Sequence, residues 1–366
     1  MLISCMFFSR RRGFFLRESY HNVLCKTISA SHGRNVTFLV VERVRMTFEQ
    51  GNIILWVSEQ SLDRVKNEVN RCTITGYAKI PPSILVKSEY MDTCQYRNDT
   101  ILVDSEFWGS YYHTSTDHIV PWFITSRVLH MIDATVQFYA KDGFRLPSTR
   151  VEKHLRRFGK CLGVDIRPRV HIEPGCYRKV AIGYMYTFRP VVWPHVELKD
   201  LVMIPEFVPW FRLAHETLHQ CFSTPSEPIP WLFVRRTHGA VERHIHVKNA
   251  SDAYVERLDD DPIVWTSVHG LIAVEGATFA NQWLMPTHST LLQLHVPRQG
   301  VSSYPLIWHT SLAMYLGHTV VDVVLDRNII SGDTLKSLIN ASIHVPHGSR
   351  CISRGENMFH CAYIGG

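Results

Sequence analysis

The nine cysteines of this 366-residue chain include no C-x-x-C pair and no zinc-ribbon spacing, which excludes the common small zinc modules and thioredoxin-type redox chemistry. No run approaches the ~18 consecutive apolar residues that a membrane-spanning helix needs. Met1 to Phe8 is apolar but is interrupted by Arg10-Arg11-Arg12, so a membrane anchor is possible but not visible. There is no internal repeat and no low-complexity tract. The net charge of +6 is spread along the chain, whereas a nucleic-acid binder concentrates basic residues on one stripe or helix. No nucleic-acid partner is therefore expected, and a scattered excess suits a pocket for a small anion equally well.

What is present describes a globular protein. Apolar residues make up 45% and charged residues 20%, outside the range of disordered chains. Nine Trp, fourteen Tyr and eighteen Phe suit both a large core and ring stacking on sugars or bases. The dispersed cysteines fit either buried thiols or a few long-range disulfides. Four sequons begin at Asn35, Asn98, Asn249 and Asn340, and they carry meaning only in a secretory chain.

Short β-branched runs predict strands at 35–41, 53–57 and 100–104. Leu62, Val65 and Val69 share one face of a helix predicted over 59–70. Residues 117–139 read as a helical region, 170–172 and 179–183 as strands, and 207–222 as a helix. The proline-rich segment 224–230 reads as a hinge. Strands follow at 231–235, within 263–274, at 291–296 and at 319–325. This alternation predicts an α/β fold with parallel strands. The expected organisation is an uncertain N-terminal region over 1–75, an α/β domain over 76–222, a second α/β domain over 223–345 and a tail over 346–366.

The segment that promises chemistry is Val274-Glu275-Gly276-Ala277-Thr278-Phe279-Ala280-Asn281. An apolar strand runs into a small-residue turn and then a predicted helix. Such a turn at the carboxyl end of a parallel strand lets backbone N–H groups meet a diphosphate, and it equally serves as a plain tight turn.

This segment, with Met285-Pro286, resembles the H-G-A-G-L-T-N-x-x-F-M-x-P signature of glycosyltransferase family 61. Trp231 to Arg236 and Arg243-His244-Ile245 resemble that family's strand ending in Arg and its Arg-x-Ile/Leu-x-Asn element. Tyr112 to Trp122 resembles its F-H-W-x-x-D-x-x-P element. The patches follow the family's order over roughly residues 90–325. The resemblance implies a GT-B-like architecture, two Rossmann-like domains facing a cleft. It also implies an inverting transfer from a nucleotide sugar, with UDP expected, to a glycan or glycoprotein hydroxyl. No cofactor or metal is expected, and the implied address is the endoplasmic reticulum or Golgi lumen.

By the same resemblance Arg235, Arg236, Arg243, Glu275, Gly276, Ala277, Thr278 and Asn281 are the donor-binding candidates. A guanidinium can grip phosphate in a bidentate way, and each arginine also reads as a solvated surface charge. His113 and Asp117, four apart, are the candidates for the catalytic base or for acceptor contact, and Asp117 equally reads as a structural helix cap. Two departures stand out. Glu275 occupies the family's histidine position, with His269 six residues upstream, and the interval from Arg243 to Glu275 is short.

A competing motif is His215-Glu216-Thr217-Leu218-His219, which satisfies H-E-x-x-H. On a helix the two histidines could bind zinc with Glu216 as general base, and Glu242 would be a third ligand. A sugar-binding or scaffold protein that keeps the fold without catalysis is the third reading.

Overall fold

The computed structural model describes residues 23–30, 34–74, 83–89, 94–104, 115, 119–131, 133–139, 149–171, 173–183, 208–236, 244–249, 251–258, 263–274, 276–296, 307–325, 327–347, 349–354 and 359–363. Within them the protein is a mixed α/β structure built on two large sheets.

The first sheet collects β1 (Val23–Ala30), β2 (Arg34–Glu49), β3 (Asn52–Val57), β4 (Ser83–Ser88), β5 (Thr100–Asp104), β6 (Thr135–Tyr139), β7 (Asp165–His171) and β8 (Gly175–Ile182). Its order is β4-β3-β2-β8-β5-β6-β7, with β1 on β2. β2 pairs antiparallel with β1, β3 and β8, whereas β4 runs parallel to β3 and β8, β5, β6 and β7 run parallel to one another. Helix α1 (Leu62–Arg71) turns Val65 into the core, with Leu62 and Val69 packed beside it, as its spacing predicts. The boundary expected at residue 75 does not follow this sheet, because strands on both sides of it share one hydrogen-bonded layer.

The helical region expected over 117–139 is shorter. Helix α2 (Val120–Val128) begins with Pro121 in its first turn and is closed by a Met131 N–H to Ser126 carbonyl bond of 2.7 Å. His130 and Asp133 then take φ of 53° and 59°, left-handed values that a helix cannot continue. The β-branched and aromatic residues that follow extend as β6.

Two helices join the halves. Helix α3 (Thr149–Leu162) packs on β7, and helix α4 (Val208–Phe222) packs on α3, α2 and the second half. The Cys161–Cys221 disulfide ties α3 to α4, and Phe158 meets Phe222 edge-on at 5.1 Å. Two further bridges, Cys25–Cys72 and Cys94–Cys176, staple the first sheet. Such bridges belong to an oxidising compartment. Among the described residues no helix is long and apolar enough to cross a membrane.

The second sheet contains β9 (Leu232–Arg235), β11 (Val255–Leu258), β12 (Gly270–Val274), β13 (Thr290–His295), β14 (Thr319–Val324), β16 (Ser349–Arg354) and β17 (Phe359–Tyr363), in the order β11-β9-β12-β13-β14-β16-β17. All neighbours are parallel except β16 with β17. The segment expected as a tail therefore supplies two of its strands. A small pair, β10 (His246–Lys248) with β15 (Ile329–Ser331), lies outside it.

The pleat sorts the apolar residues of this sheet into two layers. Phe233, Ile272, Leu292 and Val321 pack with Leu335, Leu338 and Ile339 of helix α6 (Gly332–Ile343). Leu232, Val234, Leu271, Ala273 and Leu291 pack on the other side with Phe279 and with Ala313 of helix α5 (Ile307–Leu316). Gly270 is required by close approach, since a Cβ there would meet the Trp231 ring at 2.4 Å and the Pro230 carbonyl at 2.7 Å. Gly270→Ala is expected to cost roughly 1–3 kcal/mol as overpacking, measured by urea denaturation. Unchanged stability would show that Trp231 moves aside freely.

Candidate functional site

In the second sheet the chain leaves β9 toward β11 on one side and returns to β12 on the other. The strand order therefore reverses between β9 and β12. In open parallel sheets this point, at the carboxyl ends of the strands, is where the backbone leaves room for a ligand. Arg235 closes β9 with Arg236 just beyond it, and Gly276 lies two residues past the end of β12.

Register places Val234 beside Ala273, so β9 and β12 end at about the same level. Arg235 ends β9 and Arg236 follows it, and the two side chains part. Arg235 is exposed and its Nε donates to Glu256 Oε1 on β11 at 2.9 Å. Arg236 turns toward β12, where its Nη1 lies 2.9 Å from the point a Cβ of residue 276 would occupy. Gly276 has φ of 151° and ψ of −166°, a conformation that other residues avoid. A bare backbone and a guanidinium thus face each other across the reversal point.

The turn beyond Gly276 is a 3-10 helix over Ala277–Trp283 rather than a regular α-helix. The Phe279 N–H donates to the Gly276 carbonyl at 3.2 Å, and Asn281 Nδ2 donates to the Thr278 carbonyl at 2.9 Å. Asn281 therefore holds the shape of its own turn. Thr278 is half-buried. Arg243, Glu275, the Ala277 side chain, His113 and Asp117 lie outside the described residues. Ser115, between the last two, is buried and hydrogen-bonded to His154 Nε2 at 2.8 Å.

A polar group that the sequence reading missed lies in the centre of the sheet. Asp322 of β14 is fully buried, and its Oδ1 accepts from His295 Nε2 at 2.8 Å and from Gln293 Nε2 at 3.1 Å. Its Oδ2 is 3.5 Å from Thr310 Oγ1 of α5. Several donors on one carboxylate are what burying an acid in an apolar layer requires. The available signal was a lone Asp inside Val320-Val321-Asp322-Val323-Val324, where an apolar strand accepts a carboxylate only with partners at hand. His295 ends β13, so this group lies one strand from the reversal point.

The H-E-x-x-H helix is α4. His215 Nε2 hydrogen-bonds the Met285 carbonyl at 2.8 Å, and His219 Nδ1 hydrogen-bonds the Leu284 carbonyl at 2.7 Å. His318 Nε2 likewise bonds the Gln282 carbonyl at 3.2 Å. With Phe211 stacked near Trp283 and Tyr315, these rings pin α4 to the second half. Glu216 is exposed. Among the described residues no group of three His, Cys, Asp or Glu could hold a metal. Burial pushes His215 down to about 4, with His219 adding to the effect against the Met285 bond. Burial, reinforced by His215, pushes His318 down to about 3.

No protein-family model matches the chain, and no curated protein sequence matches it.

Proposed function

We propose that the protein is an inverting glycosyltransferase of GT-B architecture that moves a sugar from a UDP-type donor to a glycan or glycoprotein hydroxyl. The observation that carries this is the Arg236 guanidinium set against Gly276 where the strand order of a parallel sheet reverses. A guanidinium at that position brings positive charge toward a departing diphosphate. The resemblance to glycosyltransferase family 61 supplies the reaction, since its sequence patches include both residues.

In that reaction the acceptor oxygen forms a bond to the anomeric carbon as the carbon–oxygen bond to the diphosphate breaks. A base takes the hydroxyl proton, and His113 and Asp117 are proposed for that role. Arg236 is proposed to hold the diphosphate, joined by Arg243. Arg235, which also meets Glu256 on the adjacent strand, is proposed to join them. Glu275 is proposed to meet ribose or sugar hydroxyls, because a carboxylate beside a diphosphate is repelled. The Cys25–Cys72, Cys94–Cys176 and Cys161–Cys221 disulfides fit the lumen of the endoplasmic reticulum or Golgi.

Titration of the purified protein with UDP and a panel of UDP-sugars tests this reading. Arg236→Ala is expected to weaken UDP binding by about tenfold or more, the loss of one charge-assisted hydrogen bond, with an unchanged melting temperature. Arg236→Lys restores only part, lacking the two-pronged grip. No UDP binding by the unmodified protein sinks the proposal.

A further inference from the structure

We propose that the protein is N-glycosylated at Asn98, Asn249 and Asn340, the first and last before the chain folds and Asn249 on either side of folding. Each asparagine begins an Asn-x-Ser/Thr sequon and is exposed at the surface. Exposure is the condition for keeping a large hydrophilic substituent on the folded chain. The disulfides put the chain in an oxidising compartment, and secretory disulfide chemistry shares its compartment with sequon modification.

The third residue of each sequon sets the order of events, because its hydroxyl takes part in acceptor recognition. Thr100 is fully buried, and its hydroxyl is spent on the Thr135 carbonyl at 2.8 Å. Ser342 is buried on α6, with its hydroxyl on the Ile339 carbonyl at 2.7 Å. Neither is reachable once β5 and α6 are packed. Ser251 is only half-buried, beside an Asn249 held at φ of 55° in a surface turn. That sequon stays presentable on the folded protein.

Two of the three sites lie away from the carboxyl strand ends that form the candidate site. Asn98 precedes β5, at the amino end of a parallel strand. Asn340 lies on α6, which covers the side of the second sheet opposite α5. Asn249 belongs to the α6 side as well, since its carbonyl closes on Gly332 at the start of that helix.

In each transfer the asparagine Nδ2 forms a bond to C1 of an oligosaccharide. The C1–oxygen bond to a lipid-linked diphosphate breaks, and the amide loses one proton. The test takes protein from its own cells and removes N-glycans with an amidase in heavy-oxygen water, which leaves a labelled aspartate at each former site. Label at positions 98, 249 and 340 is expected, and its absence at any of them overturns the proposal. In a second arm, folded protein from cells blocked in lipid-linked oligosaccharide synthesis is given an oligosaccharyl transferase and its lipid donor. Of these three sites, modification is expected at Asn249 alone while the protein is folded, and at all three after reduction and unfolding. Modification of Asn98 or Asn340 on the folded protein overturns the proposed order. This inference is independent of the transferase proposal: labelled sites without UDP binding sink only the latter.

Discussion

Lowering the pH from 6.5 toward 4.5 is expected to unfold the protein, well before its carboxylates are protonated in bulk. His318 and His154 are pushed down to about 3 and His215 to about 4, in each case first by burial. Above the ordinary histidine value of about 6.5 these rings are neutral in both states, and they set no pH dependence. Below it the unfolded chain takes up protons that the folded chain refuses, so stability falls toward the folded values. Each ring contributes about 1.4 kcal/mol per pH unit. Three together give about 4 kcal/mol per unit, and over two units that is on the order of a whole domain's stability. Urea denaturation at steps from pH 7 to 5 measures the slope. His318→Gln, which keeps a donor for the Gln282 carbonyl, is expected to remove about a third of it. A flat profile across this window sinks the prediction.

Reduction of the disulfides is expected to cost as much. The Cys25–Cys72, Cys94–Cys176 and Cys161–Cys221 bridges close intervals of 47, 82 and 60 residues. Constraint of the unfolded chain over such intervals is worth about 4 kcal/mol each in the loop-entropy model. The Cys161–Cys221 bridge has a particular place, because it fixes α3 to the helix whose histidines reach the second half. The paired substitution Cys161→Ser with Cys221→Ser is expected to lose about 4 kcal/mol by chemical denaturation and to loosen α4 first. Hydrogen exchange along residues 208–222 checks the second point. Equal exchange in both proteins would assign α4 its stability from packing alone.

Local pattern was legible where local chemistry decides. β5 lies at Thr100–Asp104, as its β-branched run predicts, and α1 turns Leu62, Val65 and Val69 inward. The parallel strands of the second sheet were also readable, because a strand covered on both faces is apolar along its whole length. The region over 117–139 was misread because apolar spacing alone cannot show where a left-handed residue stops a helix. His130 and Asp133 gave no glycine signal.

For the candidate site, the sequence determined which segments carry arginine and glycine beyond a strand. Only the tertiary structure decided that Arg236 faces Gly276 while Arg235 turns to Glu256, because neighbours along a strand point apart and the strand order lies far from the local sequence. The same holds for His215 and His219. Their spacing names a zinc motif, yet backbone carbonyls some 65–70 residues away receive them. Asp322 repeats the lesson, since a lone carboxylate in an apolar strand does not announce that His295 and Gln293 will meet it. Periodicity and turn chemistry act over a few residues and can be read in order along the chain. Partners for buried polar groups come from any distance, and only packing brings them together.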